Sequence, residues 1–311
     1  MKTSPVRPED IARTVLAVPP LARLPDLALD RVANAKLIRH IEDGGIRTMM
    51  YGGNANFYHV GTYELAGILD FLAETAGEET WMIPSIGPDY GKMIDQVDVM
   101  RSRAFPTAMV LPPSPPIAVD GVAAGLRRVA DRFGRSLILY IKAEGAVTPD
   151  GVARLFEDGA LCAVKYAISR ANPSEDAFLK ELVKLIGTER IVSGMGERPA
   201  VAHLKDFRLA AFTSGLVCIA PRTSNALLAA IRRGDWAEAE RIRQIFVPAE
   251  DFREKHGFIP VLHEAVTFSG IADMGRMLPL LANLPEPLHA PVRKLAADLV
   301  AVESRLTQKA A

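Results

Sequence analysis

A rhythm in the hydrophobic pattern constrains this chain more than any single residue. Short runs rich in β-branched and apolar residues alternate about eight times with longer stretches of helical period, and after roughly residue 222 the strand signal stops. Parallel strands need a crossover to bring the chain back, usually a helix, so the alternation predicts a parallel sheet covered by helices. Strands are expected at 12–18, 46–51, 80–84, 106–111, 136–141, 161–165, 190–193 and 215–219. Helices are expected at 29–43, 62–76, 89–102, 117–133, 149–158, 174–186 and 199–211. Proline at a first helical position, as in Thr148-Pro149, and glycine just past the last turn, as at Gly134, Gly159 and Gly187, mark several boundaries.

Eight strands with seven intervening helices fit a closed (β/α)8 barrel better than an open sheet. An open dinucleotide-binding sheet would carry a glycine fingerprint after its first strand, whereas here that run leads into Val18-Pro19-Pro20. Residues 224–233, 236–255, 259–268 and 289–306 read as helices. The expected fold class is therefore α/β, a TIM barrel over residues 1–222 with a C-terminal helical domain over 223–311. In that tail Trp236, Ile242, Ile245 and Phe246 fall near helical spacing and suit core packing or a subunit interface. Met274, Met277 and Leu278 read as core, and Arg232-Arg233 and Arg241 to Arg243 read as a solvated face.

Charge narrows the choice of partner. Lys plus Arg equal Asp plus Glu at 37 each, so no overall field draws the chain to nucleic acid or to an anionic membrane, and neither partner is expected. No uninterrupted apolar stretch approaches eighteen residues, and MKTSPVRPED lacks the apolar core of a signal peptide; a cytoplasmic location is expected. Cys162 and Cys218 lie inside apolar runs and read as buried free thiols. The six histidines form no HxH or HxxxH pair, so neither a metal nor another cofactor is expected.

A barrel of this kind places its chemistry at the C-terminal ends of the strands. The positions so selected are Gly52, Gly53 and Asn54, then Ser85, Ser114, Tyr140 and Lys142, Lys165, the loop Ser193 to Arg198 with Gly194 inside it, and Ala220 to Arg222; Cys218 lies in the eighth run. Lys165 ends the apolar run Leu161-Cys-Ala-Val-Lys165, and Tyr140 ends Ser136-Leu-Ile-Leu-Tyr140 one strand earlier. Desolvation destabilises an ammonium ion and leaves a neutral amine that can attack a carbonyl, which makes Lys165 a candidate Schiff-base nucleophile. Tyr140 is placed to shuttle protons beside it. The plainer alternative is a snorkelling lysine and a packing tyrosine.

The tyrosine-to-lysine spacing of 25 residues on consecutive strands, the Tyr51-Gly-Gly-Asn-Ala-Asn56 segment with Glu64 following, the Ser193-Gly-Met-Gly196 loop and the helical tail together resemble the dihydrodipicolinate synthase and N-acetylneuraminate lyase superfamily of class I aldolases. The resemblance spans nearly the whole chain in element order. It implies a homo-oligomer, usually a tetramer, in which Lys165 forms an imine with pyruvate or another 2-oxo acid and Tyr140 donates and accepts the proton. It also implies chemistry without a metal, because the protonated imine is itself the electron sink.

The chain departs from that family at three places. The Gly-Thr-Thr-Gly-Glu motif after strand 2 is replaced by Gly52-Gly53-Asn54-Ala55-Asn56, without either hydroxyl or the acid. Backbone amides of Gly53 and Asn54 can still cradle a carboxylate, although glycine and asparagine also suit a plain tight turn. The second tyrosine that relatives supply after strand 4 is missing; the proline-stiffened loop Leu111-Pro-Pro-Ser-Pro-Pro116 has Ser114 in its place. The arginine that follows the strand-5 tyrosine in the synthases is absent from Tyr140-Ile-Lys-Ala-Glu-Gly145, which argues against the lysine-biosynthetic synthase itself. Lys142 and Arg198 are the candidates for a distal carboxylate or sugar hydroxyls, unless Glu197 pairs with Arg198. The sequence thus points to a metal-independent lyase acting on a small-molecule 2-oxo acid through Lys165 and Tyr140, with Gly53, Asn54, Ser114, Lys142, Gly194, Arg198 and Cys218 as substrate-binding candidates. Its rivals are a keto sugar acid dehydratase with the same imine chemistry and a degenerate barrel retained for ligand binding.

Overall fold

The computed structural model describes residues 1–310. A short helix α1 (Pro8–Ala12) precedes eight parallel strands: β1 (Leu16–Ala17), β2 (Thr48–Tyr51), β3 (Trp81–Ile86), β4 (Met109–Val110), β5 (Leu137–Ile141), β6 (Leu161–Tyr166), β7 (Ile191–Ser193) and β8 (Ala211–Ser214). They pair in sequence order and close through β8 and β1 into a barrel. Seven helices alternate with them: α2 (Arg31–Asp43), α3 (Thr62–Thr75), α4 (Tyr90–Arg101), α5 (Val119–Phe133), α6 (Pro149–Glu157), α7 (Ala177–Ile186) and α8 (Ala200–Asp206). Helices α9 (Pro221–Arg232), α10 (Trp236–His256), α11 (Phe258–Phe268) and α12 (His289–Ala310) complete the described chain. The fold is a (β/α)8 barrel with C-terminal helices, and none of its described helices is long and apolar enough to cross a membrane.

Successive strand residues point to opposite faces, so the burial pattern reveals two layers. Leu16, Met50, Ile83, Met109, Ile138, Ala163, Val192 and Ala211, one from each strand, pack together inside the barrel. Their neighbours Ala17, Met49, Met82, Val110, Leu139, Val164, Ile191 and Phe212 belong to the separate core between strands and helices. Two residues beyond each inward position, alternation brings Val18, Gly52, Ser85, Leu111, Tyr140, Lys165, Gly194 and Thr213 to the next inner layer. That layer is the floor of the C-terminal mouth.

Strand 8 is displaced from its expected place. The run at 215–219 is not a strand: Leu216–Cys218 forms a 3-10 turn whose residues are fully buried, packed against α2 and α9. The pairing strand is the preceding Ala211-Phe-Thr-Ser214, and the helix expected over 199–211 stops at Asp206. Burial under two helices makes a turn as apolar as a strand, and hydropathy alone cannot separate them. Residues 223–232 continue α9, the outer helix that follows β8, so the expected boundary at 222 falls inside that helix.

Candidate active site

The C-terminal mouth opens into a cavity of about 1000 Å³. Its wall includes Val18, Gly53, Asn54, Tyr140, Lys142, Lys165, Gly194, Arg198 and Thr213. Of the sequence candidates, Gly53, Asn54, Tyr140, Lys142, Lys165, Gly194 and Arg198 thus meet at one place. Ser114 and Cys218 do not line it. Ser114 is exposed on the loop after β4, and Cys218 is fully buried in the 3-10 turn after β8. Cys218 fell among the candidates because its run was read as the eighth strand.

Lys165 and Tyr140 face each other directly across the β5–β6 pairing. The Lys165 Nζ lies 4.4 Å from the centre of the Tyr140 ring, a cation–π distance. Lys165 is only 5% exposed. Burial, reinforced by the positive charges of Lys142 and Arg253, brings its pKa down to about 7. Burial also pushes the Tyr140 hydroxyl well above its ordinary value, with Tyr58 adding to the effect and Arg253 opposing it, so the phenol keeps its proton. An amine with a substantial neutral fraction at neutral pH beside a protonated phenol is the state in which one group can attack and the other donate.

Two glycines in the loop after β7 make room for this arrangement. A Cβ on Gly194 would stand 2.9 Å from the Lys165 Cγ and 2.9 Å from the Tyr166 carbonyl oxygen. At Gly196 it would meet the Glu250 carboxylate at 2.6 Å, and φ there is +76°. The Ser193-Gly-Met-Gly196 spacing is therefore a packing requirement of the site. The loop after β6 is held by Asp176, which accepts from the Tyr166 hydroxyl at 2.5 Å, from Arg170 at 2.8 Å and from the Leu179 N–H at the start of α7. Arg170 also bonds Glu144, tying the β5 and β6 loops together.

After β2 the chain forms a 3-10 turn over Gly53–Ala55, closed by Asn56 in the left-handed region. The Asn54 Nδ2 donates to the Val18 carbonyl at 2.8 Å, so its side chain anchors the turn to β1. Gly52 must stay small, because a Cβ there would meet Met109 at 2.7 Å and Ser85 Oγ at 3.0 Å.

Glu197 and Arg198 point apart. Glu197 is fully buried and accepts from the Ser224 hydroxyl at 2.7 Å, while Arg198 bonds Asp251 and, at 3.0 Å, Glu254 on α10. Arg198 thereby staples the β7 loop to the tail. Burial, with Glu250 nearby, raises the Glu197 pKa above the ordinary carboxylate range. Arg243, read from sequence as a solvated charge, lies on the cavity wall and bonds both Glu240 and the Arg198 carbonyl.

Four cavity residues had no signal in the sequence. Tyr58 enters from the loop after β2, beside Gly53, and lies near enough to Tyr140 to act on its hydroxyl. Thr213 follows from the correct β8 register, and its Oγ1 is buried without a hydrogen-bond partner. Glu250 and Arg253 come from α10, a helix whose own pattern says only that part of it is buried.

Fold and site together define a (β/α)8 barrel with a desolvated lysine at the C-terminal end of its sixth strand. Solved structures of this same fold include dihydrodipicolinate synthases. The synthase from Oceanobacillus iheyensis superposes with a TM-score of 0.81 at 19% identity, over 96% of this chain and 99% of that one. The synthase from Bacillus clausii gives 0.81 at 21% identity, over 94% and 99%. A prophage protein of the dihydrodipicolinic acid synthase family from E. coli K12, in complex with pyruvate, gives 0.79 at 20% identity, over 92% and 98%. No protein-family model and no curated protein matches the sequence. At these identities the likeness is one of fold.

Proposed function

We propose that this protein is a divergent member of the dihydrodipicolinate synthase superfamily, a class I lyase that forms an imine between Lys165 and the keto group of a 2-oxo acid. The observation that carries the reading is the buried Lys165, its charge disfavoured by its surroundings, beside Tyr140 at the cavity floor. A solved structure of the same fold holds pyruvate, which supports the substrate class.

The neutral Lys165 amine attacks the keto carbon, and the resulting carbinolamine loses its hydroxyl as water. Tyr140 relays a proton from the amine nitrogen to the carbinolamine oxygen, a service that typically contributes about 10²- to 10⁴-fold, and one further proton, from solvent, lets water leave and the imine remain protonated. The protonated imine then accepts the electron pair released when the neighbouring carbon loses a proton or breaks a carbon–carbon bond, giving an enamine. Cleavage, condensation and dehydration all pass through this enamine. The N–H groups of Gly53 and Asn54 hold the carboxylate next to the keto group, and Lys142 stands at the mouth toward the far end of the substrate, while Arg198 is occupied by Asp251 and Glu254. A homo-oligomer belongs to the same reading, and sedimentation velocity measures it.

Incubation with a panel of 2-oxo acids, followed by borohydride and mass spectrometry, tests the proposal. A mass gain that maps to Lys165 and vanishes in Lys165→Ala is the expected result. Absence of any adduct across the panel would remove imine chemistry.

A further inference from the structure

The tail reaches into the mouth of the barrel through one side chain. α10 carries Arg253, 5% exposed, to the loops that follow β7 and β8, on the wall of the same cavity as Lys165. Two of its three nitrogens are engaged. Nε donates to the Phe258 carbonyl at 3.2 Å, and Nη1 donates to Glu250 Oε1 at 3.1 Å. Nη2 has no hydrogen-bond partner among the described residues. It stands 3.0 Å from where a Cβ on Gly215, the residue after β8, would sit, so glycine there leaves the guanidinium its space.

The other cavity arginines each hold acids through two nitrogens. Arg170 grips Asp176 and Glu144, Arg198 grips Asp251 and Glu254, and Arg243 grips Glu240 through two nitrogens. Arg170 Nη1 and Arg198 Nε also lack a partner among the described residues, but those side chains are 25% and 38% exposed; Arg253 is the buried one, and a single acid, Glu250, engages it. A guanidinium fixed at two nitrogens with the third unspent is preorganised for an anion. Its positive charge also reaches Lys165 and Tyr140, which places it within electrostatic range of the reacting atoms.

We infer that Arg253 binds a second carboxylate, so that the cavity takes 2-oxo acids with an additional acidic group. This rests on the reading of Lys165 given above. Gly53 and Asn54 follow β2, while Arg253 lies over the loops after β7 and β8, with β1 between β8 and β2 in the barrel, and Lys165 projects from β6. A cavity of about 1000 Å³ holds far more than a three-carbon acid, and its volume matches a longer substrate.

Calorimetry with two acids that cannot form imines, glutarate and its one-carboxylate analogue butyrate, reads the second carboxylate apart from the chemistry. In the wild-type protein glutarate should bind about tenfold or more tightly than butyrate, the value of one charge-assisted hydrogen-bonded pair. In Arg253→Met that ratio should fall to near one, while pyruvate is still trapped by borohydride. Arg253→Lys, which keeps the charge and is the less disruptive change beside Glu250, should give an intermediate ratio. A wild-type ratio near one, or a ratio unchanged in either folded variant, overturns the assignment. Failure of pyruvate trapping in the wild type sinks the imine reading and leaves the glutarate ratio to stand or fall on its own.

Discussion

Gly194 and Lys165 share one space: the lysine stem runs where a side chain at 194 would be, with 2.9 Å between the Lys165 Cγ and an added Cβ. The loop after β7 is thus shaped by the lysine on β6, and the lysine's orientation depends on the loop having no side chain there. Gly194→Ala should displace Lys165 and strain the backbone against the Tyr166 carbonyl, destabilising the fold by about 1–3 kcal/mol. Thermal melting measures that loss, and the yield of borohydride-trapped pyruvate should fall further than the melting curve explains. Full trapping with an unchanged melt would show that the loop moves freely.

The ionisation of Lys165 sets a pH profile. Because the folded-state pKa is lowered from 10.5 to about 7, the rate of imine formation should rise as pH passes through about 7 and then level off. Between about 7 and 10.5 the unfolded chain binds the proton that the folded chain has lost, so this group makes stability rise with pH across that window. Lys165→Met should flatten that slope and raise the melting temperature most at pH 7 and below. Lys142→Met removes a like charge from the neighbourhood, so the rate profile should shift to higher pH. A midpoint near 10 in the wild type would contradict the buried, desolvated lysine.

Tyr140 and Tyr58 should separate in a proton-exchange measurement. Tyr140→Phe leaves Lys165 able to condense with pyruvate but removes the proton shuttle. Exchange of the pyruvate methyl protons with deuterated water, followed by NMR, should slow by about 10²- to 10⁴-fold while adduct yield persists. Tyr58→Phe should slow it less, since it is the Tyr140 ring that faces Lys165 and Tyr58 acts on Tyr140. Equal effects would make the two tyrosines a single relay.

Glu197 makes the opposite contribution to stability from Lys165. Burial beside Glu250 raises its pKa on folding, so the folded chain holds a proton that the unfolded chain gives up, and stability is lost as pH rises above the ordinary carboxylate range. Glu197→Gln preserves an acceptor for Ser224 and abolishes the burial of a charge. The variant should gain roughly 3 °C in melting temperature at pH 8 and little at pH 4.5. A gain that is the same at both values would mean that ionisation of Glu197 is irrelevant to the fold.

The local pattern of the chain determined most of the architecture. Seven of the eight strands overlap their apolar runs, and α2 to α7 fall within a few residues of their periodic segments, because each strand and helix buries a face whose spacing is written in consecutive residues. The same period-two alternation, once β5 and β6 are placed, turns Tyr140 and Lys165 inward together. Tertiary structure alone decided where β8 lies, since Leu216 to Cys218 are apolar for the sake of α2 and α9 and not of a sheet. It also decided which charges belong to the site. Arg253, Glu250 and Arg243 stand on helices with polar sequences, and only the packing of α10 over the β7 and β8 loops brings them to Lys165. Hydrophobic periodicity reports which face of a segment is covered; it carries no record of which polar side chain a distant helix will deliver into a cavity.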